Sequence, residues 1–184
     1  MSYSTKPVHI VQNAGGWTEE NKKHPVVEWL HDFEREFDFG NMKTTGHAPW
    51  ATDDFTFSQC GAPSATPGAA AFAALVAVYA PFSAHYHEPH CYLIWENEKG
   101  YELTGVANMY GTFHVPSAGG EKVKDLEGRE WDFKGLGSFY FVFEKDPSGP
   151  KGLKLKSEAL VADGLPVAKE LVKRGMATPD QVLA

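Results

Sequence analysis

Half of the eight histidines in this chain, His85, His87, His90 and His114, fall within a short stretch that reads as strands. An imidazole titrates near neutral pH, so a histidine set in an apolar pocket can take a proton as a general base or, once protonated, give one. Alternation along a strand puts His85 and His87 on one face with Cys91 and Trp95, and Tyr86, His90 and Tyr92 on the other. The competing interpretation is that these rings are hydrogen-bonded core or surface groups.

A metal reading rests on the same residues. The pair His85-x-His87 resembles the metal-binding pair of a cupin, but Glu88 follows at once, Glu96 comes too late, and the glycine spacing of that motif is absent. His85, His87 and His114 would still offer three imidazoles that suit zinc or iron if adjacent strands align. The reading carried forward has no metal and no organic cofactor.

Carboxylates and hydrogen-bond donors come next. Asp53-Asp54 stand at the start of a strand after Trp50, where burial beside Trp50 and Phe55 would raise a carboxyl into a useful range for proton transfer. Aspartates at strand starts also bond local backbone amides and fix turns. Because Asp53 shares a parity with Phe55 and Phe57, it is the candidate pocket carboxylate if the phenylalanines point inward. On the strand 101–115, Glu102, Thr104, Asn108, Tyr110, Thr112 and His114 share one face, opposite Leu103, Gly105, Ala107, Met109 and Gly111. The polar face is either solvent or interface, or it supplies Asn108 and Tyr110 as donors to a developing oxyanion. The sequence leaves both open.

Other chemistries lack their supports. There is no G-x-S-x-G elbow, no G-x-G-x-x-G after a strand and no P-loop. His90 and Cys91 are neighbours on a strand and point apart, so they do not make a nucleophile pair. The formal charge of −7 and the absence of a Lys/Arg run argue against a nucleic-acid partner. The apolar run 69–80 is short of the ~20 residues a spanning helix needs, and 1–7 carry no secretory signal. With only Cys60 and Cys91, a disulfide framework is not expected, and a reducing, cytoplasmic setting is the simplest expectation.

The elements that must position these groups follow from periodicity. Val8, Ile10 and Val11 suit a short edge strand within an otherwise irregular arm, 1–20. From Pro25 the apolar residues Val26, Trp29, Leu30, Phe33 and Phe37 recur near 3.6, with His31, Asp32, Glu34, Arg35 and Glu36 opposite, and Gly40 suits the stop. A strand covers Phe55 and Phe57. A second helix runs from Thr66, as cap, and Pro67 to Pro81, apolar on nearly every side and therefore mostly covered. Strands follow over 85–95, 101–115, 131–144 and 153–158, in the last of which Leu153 and Leu155 alternate with Lys154, Lys156 and Glu158. The loop 116–130 is a candidate mobile lid. A last helix opens at Asp163 and ends at Gly175, completing one domain over 21–176 and a tail over 177–184. Helices gathered at one end of a run of hairpin-linked strands make an α+β fold.

This order, with Asp53-Asp-Phe-Thr-Phe57, Thr104-Gly-Val-Ala-Asn-Met-Tyr-Gly-Thr-Phe113, Ser138-Phe-Tyr-Phe-Val-Phe-Glu144 and Leu153-Lys-Leu-Lys-Ser-Glu158 before Asp163-Gly-Leu-Pro-Val167, resembles a SnoaL-like protein of the nuclear transport factor 2-like superfamily. The resemblance spans roughly 26–175, and its phrases are patterns of packing more than of chemistry. It implies a curved mixed or antiparallel sheet wrapped around a pocket, with the first helix as one wall, and frequently a homodimer through the outer sheet face. Members include polyketide cyclases, ketosteroid isomerase and scytalone dehydratase, and also modules without catalysis. The expectation is a cofactor-independent isomerase, cyclase or dehydratase acting by proton transfer on a small hydrophobic carbonyl compound. His85 or His87 serves as base, Asp53 as second carboxylate, and Tyr110 or Asn108 as oxyanion donor. Trp29, Phe33, Trp50, Phe55, Tyr86, His90, His114 and Tyr140 are expected to contact substrate. A ligand carrier or dimeric interaction module is the alternative, and a His-ligated metal enzyme the second.

Overall fold

The computed structural model describes residues 5–12, 17–39, 46–64, 66–117 and 120–183. The amphipathic stripe after Pro25 forms α1 (Pro25–Phe39), which buries Val26, Val27, Trp29, Leu30, Phe33 and Phe37. Gly40 lies outside the described residues. The remaining elements are β1 (His9–Gln12), β2 (Ala51–Gln59), β3 (Ala62–Ser64), α2 (Ala69–Ala77), β4 (Phe82–Glu96), β5 (Gly100–Phe113), β6 (Val123–Lys124), β7 (Glu130–Trp131), β8 (Phe133–Lys145), β9 (Leu153–Ala162), α3 (Leu165–Lys173) and α4 (Pro179–Leu183).

Seven strands form one curved sheet in the order β1-β4-β5-β8-β9-β2-β3. Every neighbouring pair is antiparallel except β2 and β9, which run parallel. The edge strand anticipated at Val8 to Val11 is β1, paired with the far half of β4. Helices α1 and α2 pack into the concave face, where Trp29, Phe33, Phe55, Phe72, Tyr92, Ile94, Leu103, Phe141 and Phe143 form the main core. Trp29 stacks on Phe33 at 4.9 Å and Phe33 on Phe37 at 5.5 Å, an aromatic ladder set by i, i+4 spacing on one helix. A smaller cluster of Phe82, Phe113 and Phe133 meets Val167 and Leu171 of α3.

Bulges decide which residues face inward. In β4 the pairing slips between Pro89 and Cys91, leaving His90 as the extra residue. Before it, odd residues such as His87 face the interior; after it, even residues Tyr92 and Ile94 do. The expected alignment of His85 and His87 with Cys91 and Trp95 is therefore broken. Proline removes a ladder donor, and such residues collect at bulges. In β9 the pairing slips at Lys156, so Leu155 and then Glu158 face inward rather than Glu158 following the lysines outward. In β2 the pairing with β9 shifts between Ala51 and Thr56, which carries Asp53 and Asp54 off the ladder and into solvent. On β5 the small residues accommodate close packing: a Cβ at Gly105 would lie 2.6 Å from the Phe139 ring.

Three other expectations change. Helix α2 is shorter than the 67–81 reading and buries only Ala71, Phe72 and Leu75, while Gly68 caps it without a side-chain bond. Thr66 is not its cap, because Gly68 at φ 85 turns the chain in between, with its amide donating to Phe55 O. Val123–Lys124 pair with Glu130–Trp131, and none of the described residues of 116–130 lines the cavity. That stretch instead carries buried Asp125 on the convex side. Helix α3 opens and stops as read, with Asp163 Oδ1 accepting from Leu165 N at 3.0 Å and Gly175 at φ 69, but a further helix, α4, lies within the expected tail 177–184. Arg174 pairs with Glu170 of the same helix at 3.0 Å and ties the helix end to the chain around the sheet through Asp132 at 3.2 Å and Val115 O at 2.7 Å. Among the described residues no helix is long and apolar enough to cross a membrane.

Candidate functional site

The concave face encloses a cavity of about 350 Å³ between α1, α2, the inner faces of β4, β5, β8 and β9, and α3. Its size is at the small end of ligand pockets. Phe33, Phe37, Phe82, Phe133, Phe139 and Phe141 make most of the wall, with Val167, Ala168 and Leu171 of α3 closing one side. Into this apolar space project Glu34, Tyr79, His87 and Glu158.

A hydrogen-bonded chain runs from the cavity wall into α1. The Tyr79 hydroxyl lies 3.0 Å from His87 Nε2, and His87 Nδ1 lies 2.8 Å from Asp38 Oδ1. Asp38 Oδ2 also accepts the His87 backbone N–H at 2.8 Å, which locks the carboxyl to the strand. With Asp38 ionised, Nδ1 carries the ring proton and donates to it. Nε2 is then the lone-pair nitrogen that accepts from Tyr79. The Asp38 side chain is 1% exposed. His85 joins the group with Nε2 at 3.4 Å from Asp38 Oδ1. The ligand atoms of Asp38, His85 and His87 all lie within 4.8 Å of one another, a set that could hold a metal ion. His114, the third ligand in the sequence reading, is exposed beyond the end of β5 and outside this group.

Burial acts on the acids of the cavity. Glu158 has its carboxyl pushed up from 4.5 to about 8 by removal from water. Glu34 is held well above the usual carboxylate range, first by burial and then by the negative charges of Asp38 and Glu158. Tyr79 is raised well above an ordinary phenol by burial and by Glu158, Asp38 and Glu34, so it keeps its proton.

The placement of the expected site residues divides sharply. His87 and Phe33 line the cavity, and His85 lies behind it, beside Asp38, without lining it. Trp29, Trp50 and Phe55 are core: the Trp29 indole donates to Leu153 O at 3.1 Å, and its ring meets Trp50 edge-on. Asp53 is exposed, as are His90 and His114. Tyr140 lies on the outer face, where its hydroxyl donates to Glu102 at 2.6 Å. Asn108 and Tyr110 also point outward, so the small apolar set of β5 faces the interior. Both donate to buried Glu88, at 2.9 Å and 3.2 Å. Tyr86 stacks there between Tyr110 and Trp131, under the Arg129 guanidinium at 3.9 Å. Neither oxyanion donor expected from sequence reaches the cavity.

Four site residues escape the sequence reading. Glu34 and Asp38 belong by type to the polar side of α1, yet Leu30, Glu34 and Asp38 are spaced i, i+4, i+8 and run along the edge of the apolar stripe. Glu158 is hidden by the Lys156 bulge. Tyr79 merges into an apolar run, although its O–H asks for a partner whenever the ring is buried.

The polypeptide path matches known structures. A scytalone dehydratase-like protein from Novosphingobium aromaticivorans superposes with a TM-score of 0.54 at 14% identity, over 76% of this chain and 82% of that one. Aln2 from a Streptomyces species gives 0.52 at 14% identity, over 84% and 99%, and the CaMKII hub of S. rosetta 0.53 at 12% identity, over 76% and 95%. The fold is the nuclear transport factor 2-like cone. At these identities the likeness concerns the path of the chain alone. No protein-family model matches the sequence, and no curated protein matches it. The cone accounts for the enclosed space between α1 and the sheet, while the ionisable groups inside it belong to this chain.

Proposed function

We propose that the protein is a small-molecule enzyme that moves a proton beside a carbonyl group, an isomerase, cyclase or dehydratase acting on a compact, mostly apolar compound. The observation that carries this reading is the chain Tyr79–His87–Asp38 at the wall of an aromatic cavity. Tyr79 turns its O–H onto the substrate oxygen, which frees His87 Nε2 to take the carbon-bound proton. The imidazolium that forms is held by the Asp38 carboxylate, and the same proton returns to the neighbouring carbon or to a departing hydroxyl. The enolate oxygen is stabilised by the Tyr79 hydroxyl in a site largely closed to water. Phe33, Phe37, Phe139 and Phe141 hold the hydrocarbon part.

The test is hydrogen–deuterium exchange at the carbon beside the carbonyl in a panel of bicyclic ketones, followed by NMR. The wild-type protein accelerates exchange, and His87→Ala loses about 10²- to 10⁴-fold of it with an unchanged circular dichroism spectrum. No exchange across the panel would leave the cone as a ligand carrier, and exchange that survives H87A would remove His87 as the base. A second reading rests on the proximity of Asp38, His85 and His87: these three hold zinc or iron. Stoichiometric metal retained through desalting and lost in H85A would replace the proton relay by a metal centre.

A further inference from the structure

The proton relay leaves three acids of the cavity lining unused, of which Asp163 is exposed and accepts from the Leu165 amide. Glu34 on α1 and Glu158 on β9 both line the cavity, and Glu158 is only 5% exposed. The Oε2 atom of each is buried without a hydrogen-bond partner among the described residues. A buried polar atom without a partner is uncommon in a folded protein and calls for a reason. No Lys or Arg occurs among the described residues lining the cavity. The other titratable groups around Glu158 and Glu34 are Asp38 on α1, Tyr79 after α2, His87 on β4 and Asp163 before α3, none of them a fixed cation.

We infer that the cavity receives an apolar organic amine, its ammonium seated against Glu34 and Glu158 and its hydrocarbon part against the phenylalanine rings of α1 and β8. The inference rests on the reading of the cavity as a substrate site and names the class of compound that enters it. An ammonium brings up to three N–H donors and no acceptor, which matches two carboxyls that each keep a buried Oε2 without a donor. Ring faces attract a cation further, with Phe33, Phe37, Phe139 and Phe141 in the same wall. A carboxylate or phosphate would meet several acids and no cation, so the same walls reject anions. The charge balance covers both acids. Glu158 and Glu34, both raised by burial, enter as neutral acids and the amine enters as a cation; Glu158 gives its proton to the buffer as the ion pair forms, and Glu34 keeps its proton and accepts the ammonium through its carbonyl oxygen.

Calorimetric titration of tryptamine, indole-3-ethanol and indole-3-acetate tests this, because the three share a ring and differ in the end group. The expected order is tryptamine tighter than indole-3-ethanol by about tenfold or more, with indole-3-acetate weakest. In buffers of different ionisation enthalpy, tryptamine releases about one proton at pH 7. Glu158→Gln and Glu34→Gln each weaken tryptamine by about tenfold and leave the alcohol unchanged, and E158Q abolishes the proton release. Thermal melting confirms that each variant is folded, and Glu158→Leu serves if E158Q is not. Equal or tighter binding of the alcohol or the acid, unchanged tryptamine affinity in both variants, or no binding of any of the three overturns the inference. In the wild-type protein, absent ketone exchange with intact amine preference removes only the proton-relay reading, and absent preference with intact exchange removes only this one.

Discussion

Two pairs of buried acids sit on opposite faces of one sheet and receive opposite treatment. On the convex face Glu88 accepts from Asn108, Tyr110 and the Leu126 amide at 2.9–3.2 Å. Asp125 accepts from the Trp131 indole, Arg129 Nε and the amides of Glu127 and Arg129. Burial alone would raise Asp125, but the Trp131 and Arg129 bonds outweigh it and hold the carboxyl below its usual 3.8. On the concave face, Glu34 and Glu158 keep a buried oxygen without a donor and are raised. The chain can satisfy a buried carboxyl when the carboxyl serves the fold. An acid left without partners inside a cavity is better explained by what enters the cavity.

The contrast can be broken in order of expected effect. Asp38→Asn, which replaces one of the two oxygens accepting from His87 by an amide donor, lowers carbonyl-linked exchange by about 10²- to 10⁴-fold and costs about 1–3 kcal/mol in urea unfolding. Asp125→Ala strands the Trp131 indole and the half-exposed Arg129 guanidinium and costs about 2 kcal/mol in urea unfolding. Glu158→Gln costs little at pH 5 and is more stable than wild type at pH 9. The sign follows from the raised carboxyl: neutral Glu158 contributes fully below its ordinary 4.5, and the contribution is lost as the pH climbs to about 8. Over that window wild-type stability falls by up to about 1.4 kcal/mol per pH unit, a slope that melting curves show reduced in E158Q. The smallest effect belongs to Asp53→Asn, which is exposed and changes stability by no more than about 0.5 kcal/mol, with exchange untouched.

The fold is legible in the sequence because packing patterns are long and redundant. The stripe from Val26 to Phe37, the alternation of Phe139, Phe141 and Phe143, and Gly105 beside a curved neighbour each point to the same cone. The site is legible only in part, because its residues depend on single-residue events. His87 lies on the face it shares by alternation with His85, and that face turns to the cavity, since both precede the His90 bulge. Glu158 and Asp53 exchange expected places, each beside a slip in register that alternation cannot see. Asn108 and Tyr110 read on the correct common face, but only Glu88 and the hairpin above it fix that face as the outer one. Pro89, a residue that cannot donate within the β4 ladder, is the one local sign of a break.

The parallel pairing of β2 with β9 joins residues 51–59 to 155–160, and it also sets the order in which a newly made chain can complete its interior. Until β9 has left the ribosome, Phe55 and Phe57 lack their final neighbours and the cone stays open along that seam. Contacts so far apart in sequence form late and slowly. Glu34 belongs to the first long helix and Glu158 to the last strand, so the two acids meet only in that final step. A chain halted before β9 therefore exposes its aromatic lining and has no amine seat at all.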